Sequence, residues 1–124
     1  MSHATTERSL DLVWGHQVET VPIDWLWHPW LARGTVAVLD GDPGMGTSSL
    51  TMDLAARVTT GQPFPGETQE REKSIALMVA MEDPIASVAK PRFVAAGGIL
   101  ERIAFLGGVR EIGPDGKGAA AGTR

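Results

Sequence analysis

Hydrophobic and polar positions fall into stretches of different period along this chain, and each period predicts an element. Residues 1–20 show no clear period, which predicts a flexible lead-in. The segment Val21-Pro22-Ile23-Asp24-Trp25-Leu26-Trp27-His28-Pro29-Trp30 follows, and its two prolines oppose helix. A short extended or irregular segment that packs on the domain is expected there. Thr35-Val36-Ala37-Val38-Leu39-Asp40 is β-branched and apolar and predicts a buried strand. Gly41 to Gly46 is a dense turn signal. Beyond it Leu50, Leu54, Ala55 and Val58 recur at helical spacing up to Gly61, which predicts a helix over 47–60.

Ser74 to Met81 predicts a second buried strand. Asp83-Pro84 has the chemistry of a helix start, so a helix is expected from near Ile85, kinked or restarted at Pro91 and ended by Gly97-Gly98. Ile103 to Leu106 predicts a third strand, and from Gly107 the chain is Gly/Ala-rich with no core pattern. Strand, turn, helix, strand, helix, strand is the signature of an α/β fold with a parallel sheet, here an incomplete one. The expected organisation is a lead-in over 1–20, a domain over 21–106 and a tail over 107–124.

Length and composition narrow the function. A chain of 124 residues has room for one domain with a modest core. Eleven Lys+Arg against fifteen Asp+Glu give a formal charge of −4, which opposes a broad basic surface gripping nucleic acid. There is no cysteine, so disulfides, zinc–cysteine sites and thiol catalysis are excluded. The polar start lacks a secretion signal, and the longest apolar run, Ile75 to Met81, is far short of the roughly 20 residues of a membrane helix. A cytoplasmic protein without membrane partners is expected.

The candidate chemistry centres on Gly41-Asp42-Pro43-Gly44-Met45-Gly46-Thr47-Ser48. It fits the P-loop pattern G-x-x-x-x-G-K-[ST] between a strand and a helix at every fixed position except lysine. Glycines let such a loop curl so that successive N–H groups and the positive helix end meet a phosphate. Ser48 stands where a hydroxyl would bind Mg²⁺, and the candidate nucleotide-binding set extends to Ser49. An ordinary strand–helix turn is the alternative.

Thr47 changes that chemistry. The lysine of a P-loop brings a positive charge onto the β/γ-phosphates. Losing one charge-assisted contact costs about 1.5–3 kcal/mol of binding, or roughly one to two decades of affinity. Rate suffers at least as much, because the charge matters most in the transition state.

Glu82 follows the second apolar run directly, which places a carboxylate at the edge where ligands of open α/β sheets bind. It could orient and deprotonate a water; a solvated strand-end charge is the alternative. Asp83 reads as the cap of the next helix. The tryptophan cluster reads as core or a hydrophobic clamp, with nucleobase stacking as the alternative.

Several stretches together resemble the RecA-like AAA-type P-loop ATPases related to the plasmid helicase RepA. They are Trp25-Leu26-Trp27, Arg33-Gly34, the loop with Ser48, Leu50 to Arg57, Thr60 to Pro65, Glu82-Asp83-Pro84, Pro91-Arg92 and Ala95-Ala96-Gly97. The resemblance covers roughly residues 21–106. It implies an incomplete RecA-like fold, dependence on ATP and Mg²⁺, and ring-shaped oligomers. It also implies phosphate binding by Gly41 to Ser48, magnesium binding by Ser48 and a catalytic role for Glu82; Arg92 matches an arginine to which it assigns no role.

Two departures stand against it: Thr47 in place of lysine, and no apolar run ending in Asp after Leu106. The chain therefore resembles a truncated, degenerate member with weak nucleotide binding and little or no hydrolysis. The alternative is a non-enzymatic interaction fragment or gene remnant that associates with a full-length ring. In RecA-like sheets the P-loop strand and the strand ending at Glu82 are not neighbours, so these two should either keep open edges or pair directly.

Overall fold

The computed structural model describes residues 4–42, 44–79 and 83–120, and its chain divides into two compact units, the first ending in sequence at Ala37 and the second starting at Val38. In the first unit β1 (Trp25–Trp27) pairs antiparallel with β2 (Leu31–Ala32). The Trp25 and His28 rings meet edge to face at 5.1 Å, and those of Trp27 and Trp30 lie 6.4 Å apart. Arg33 donates its amide to the Asp24 carbonyl at 2.8 Å and holds the Asp24 carboxylate at 3.6 Å. These bonds close the short extended segment that the prolines predict.

The second unit is built on α1 (Thr47–Thr60). Met52, Ala56 and Thr59 recur at helical spacing and are its buried positions. Leu50, Leu54 and Val58, the residues that reveal the helix in the sequence, lie on its opposite side at 100° per residue and are only half-buried. Gly61 ends α1 at φ +75°, where a side chain would be strained, and its amide bonds the Arg57 carbonyl at 2.9 Å. Arg57 ties the following turn to the helix, with its Nε on Asp53 Oδ2 at 2.8 Å and a second nitrogen on the Pro63 carbonyl.

β3 (Ala76–Met78) pairs in parallel with β4 (Ile103–Phe105), with Ala76 opposite Ile103 and Met78 opposite Phe105. The crossover between them contains a π-helical turn, Ile85–Ala89, which continues as α2 (Lys90–Ala95). Pro91 explains the widened turn. It has no N–H for the carbonyl four residues back and its ring would crowd that carbonyl. The chain opens instead, with Ala89 N–H reaching the Pro84 carbonyl at 3.1 Å.

Helix α2 stops where its two glycines predict. Gly97 takes φ +85°, its amide bonds the Val94 carbonyl at 2.9 Å, and the Gly98 amide bonds the Phe93 carbonyl at 3.2 Å. This is the Schellman arrangement, which satisfies carbonyls that the helix end would leave bare.

The core is small. Met52, Ala56, Ala89 and Phe93 form it, with Met78, Ile103 and Phe105 packed against it. Phe93 is fully buried and meets the Phe105 ring edge to face, with centroids 6.5 Å apart. The helices thus cover the sheet face that carries Ala76, Met78, Ile103 and Phe105. Ile75, Leu77 and Val79 alternate onto the other face, where Leu77 is 68% exposed. The expected second strand is therefore present but buried on one side only; residues 80 and 81 lie outside the described residues.

The expected strand over 35–40 does not form. Val36 is 96% exposed and Val38 88%, and residues 36–42 have no regular structure. An apolar run becomes a strand only when a neighbour takes up its N–H and C=O groups. No described strand pairs with this one, and β3 pairs with β4 instead. Neither outcome expected for the P-loop run, a strand with open edges or one paired directly with the second strand, is found, because the run forms no strand.

The tail holds a hairpin that hydrophobic pattern alone does not reveal. β5 (Arg110–Ile112) pairs antiparallel with β6 (Gly118–Ala120) across a turn through Gly116, φ +72°. The signal was Gly113-Pro114-Asp115-Gly116, since Pro, Asp and Gly each suit a tight turn. Asp115 Oδ1 accepts the Lys117 amide at 3.2 Å and fixes it.

Candidate phosphate-binding site

The start of α1 makes the site. Gly44 and Gly46 have φ +86° and +82°, a left-handed backbone open to glycine and strained for other residues. These values turn the chain sharply into the helix, and Met45 N–H bonds the Asp42 carbonyl at 3.1 Å to close the turn. The Leu50 amide makes the first intrahelical bond, to the Gly46 carbonyl at 2.9 Å. The amides of Thr47, Ser48 and Ser49 precede it, and no side chain among the described residues caps them. Uncapped amides at the positive end of a helix are donors suited to an anion.

Around these donors lies a cavity of about 430 Å³, bordered by Asp40, Gly44, Thr47, Ser48, Ser49 and Arg92 among others. A second, of about 470 Å³, lies against the same loop and is bordered by Leu39, Met45 and Leu50. The first is within the size range of small-ligand sites. Gly41, Asp42 and Gly46 border both cavities. The structure therefore brings together every described member of the sequence-derived set, with Met45 on the second cavity only. Pro43 and Glu82 lie outside the described residues.

Two details separate this loop from a bare cradle. The Gly41 amide is taken up by Asp40 Oδ1 at 2.9 Å. The hydroxyl of Thr47 sits against Gly41, where an added Cβ would come within 2.9 Å of Oγ1. The side chain at the lysine position thus folds back on the start of the loop and brings no charge.

Arg92 borders the first cavity although it stands far from the loop in sequence. It pairs with Asp83 at 3.6 Å, both side chains being about half exposed. Sequence reasoning gave it no role, because its place depends on how α2 packs on α1.

A turn of left-handed glycines feeding a helix start in an α/β unit is the arrangement that P-loop domains use to hold phosphate. Residues 3–116 match the family described as AAA domain, and the chain belongs to that family, whose members generally bind ATP with Mg²⁺. No curated protein and no solved structure matches the chain significantly. No helix among the described residues is long and apolar enough to cross a membrane.

Proposed function

We propose that this chain is a RecA-like AAA domain, akin to the plasmid helicase RepA, that works in the cytoplasm as a weak nucleotide-binding module with little or no ATP hydrolysis. One observation carries the reading: Thr47, Ser48 and Ser49, at a helix start that no side chain among the described residues caps, border a cavity in which Thr47 occupies the lysine position. The donors fit a phosphate group. Gly41 to Ser49 would hold the nucleotide's phosphates. No cluster of three or more acidic or histidine side chains among the described residues could hold a metal alone. Ser48 would therefore share Mg²⁺ with the phosphates, and the ion would offset phosphate charge. Glu82 is the candidate for orienting water. A neutral Thr47 leaves the β/γ-phosphates without the P-loop's cation, which lowers affinity and affects rate still more.

Calorimetric titration with ATP and Mg²⁺ tests this. Weak binding is expected, and Thr47→Lys should tighten it about ten-fold or more. Equal affinities for the two proteins would show that the loop is not the site.

A second reading is a non-enzymatic module that associates with a full-length ATPase ring. The uncovered apolar face of β3, with Ile75, Leu77 and Val79 exposed, favours it. Co-purification with such a ring tests it, and Leu77→Lys should abolish that association.

A further inference from the structure

Among the described residues bordering the 430 Å³ cavity, Arg92 is the one cationic side chain, and Asp40 and Asp42 border the same space. A phosphate entering there meets two carboxylates and, at the lysine position, a neutral hydroxyl. Like charges in one site oppose each other, so a cation at its wall governs whether an anion enters. We propose that Arg92 is that cation. It leaves its ion pair with Asp83 and binds the nucleotide's phosphates, so that positive charge comes from α2 rather than from the loop. This rests on the nucleotide-binding reading of the loop.

The Asp83 pair suits such an exchange. At 3.6 Å between half-exposed groups it is long and solvent-screened, so it holds Arg92 only loosely. A guanidinium also grips phosphate oxygens through two parallel N–H bonds, which neutral Thr47 cannot do. Arg92 sits next to fully buried Phe93, so its backbone is anchored while its side chain projects from the exposed side of a short helix.

The test compares the affinity of fluorescent ADP and its competition by inorganic pyrophosphate and by adenosine, in the full chain and five variants. Arg92→Gln should weaken ADP and pyrophosphate about ten-fold and leave adenosine unchanged, whereas Arg92→Lys should keep most of the affinity. Asp83→Asn should act in the opposite direction and tighten ADP about two-fold, because it frees the guanidinium. With Thr47→Lys in place, Arg92→Gln should cost less than two-fold. If Arg92 only braced the fold, Arg92→Gln and Asp83→Asn would weaken binding alike, and the proposal would fall. It would also fall if Arg92→Gln bound ADP as the parent does while Thr47→Lys still tightened it; the loop would then be a site without this arginine. ADP binding by none of the proteins, Thr47→Lys included, would overturn the nucleotide reading and the role of Arg92 together. Circular dichroism of each variant confirms that the helices persist.

Discussion

Thr59 accepts the amide hydrogen of Ile99 on its Oγ1 at 3.1 Å, and the same hydroxyl donates to the Ala56 carbonyl at 2.8 Å. The side chain is fully buried. One hydroxyl thereby ties the last turn of α1 to the chain leaving α2. Thr59→Val keeps the shape but strands the Ile99 amide, which should cost about 1–3 kcal/mol. Thr59→Ser should cost less. Urea unfolding followed by circular dichroism checks this, and an unchanged midpoint for the valine variant would show that the amide has found another acceptor.

Gly61 is constrained twice. Its φ is +75°, and an added Cβ would lie 2.3 Å from the Arg71 carbonyl oxygen, part of a backbone that itself bonds the Gly61 carbonyl at 2.8 Å. Gly66 has φ +85° with open space around it. Gly66→Ala should therefore cost about 1 kcal/mol, from backbone strain alone. Gly61→Ala should cost clearly more. Thermal unfolding of the two variants should rank them in that order.

Restoring the loop's charge should not restore an enzyme. The Thr47→Lys chain should bind ATP more tightly yet release phosphate at near the background rate, since a lysine on the phosphates restores charge but supplies no group that activates water. A sensitive phosphate-release assay decides it. Turnover well above background, lost again on Glu82→Gln, would mean that Glu82 and the loop suffice.

The open face of β3 has a solution consequence. Ile75, Leu77 and Val79 are exposed side by side, and the unpaired run with Val36 and Val38 is exposed as well. Apolar surface and strand edges of this kind promote association, and a small core leaves little margin against chain entropy. The purified chain should unfold at low urea or sediment as oligomers, with Leu77→Lys shifting it towards monomer. A monomeric, cooperative transition of about 8 kcal/mol or more would contradict this.

Elements specified by near neighbours were legible in the sequence. Helix α1 followed from apolar spacing and its closing glycine, the break at Pro91 from the missing N–H, and the stop of α2 from Gly97-Gly98. Elements that depend on distant partners were not. Val36 and Val38 have strand chemistry, but no ladder partner meets them. Thr59 gave no sign of its bond to Ile99. The loop was visible as a pattern of glycines, whereas Arg92 reached its cavity only through helix packing that no local period encodes.

The π-helical turn Ile85–Ala89 also sets an azimuth. Its wider bonds, Ala89 to Pro84 and Lys90 to Ile85, accommodate one residue more than an α-helical turn would. Every later side chain is therefore rotated by about 100° from where an unbroken helix would aim it. That rotation gives Phe93 to the core and leaves neighbouring Arg92 at the wall of the cavity. The division of labour along α2 is written upstream of it, in the turn that Pro91 forces open. Closing that turn into a regular α-helix with all its residues kept would spin the helix back and exchange an aromatic ring for a guanidinium in the middle of the core.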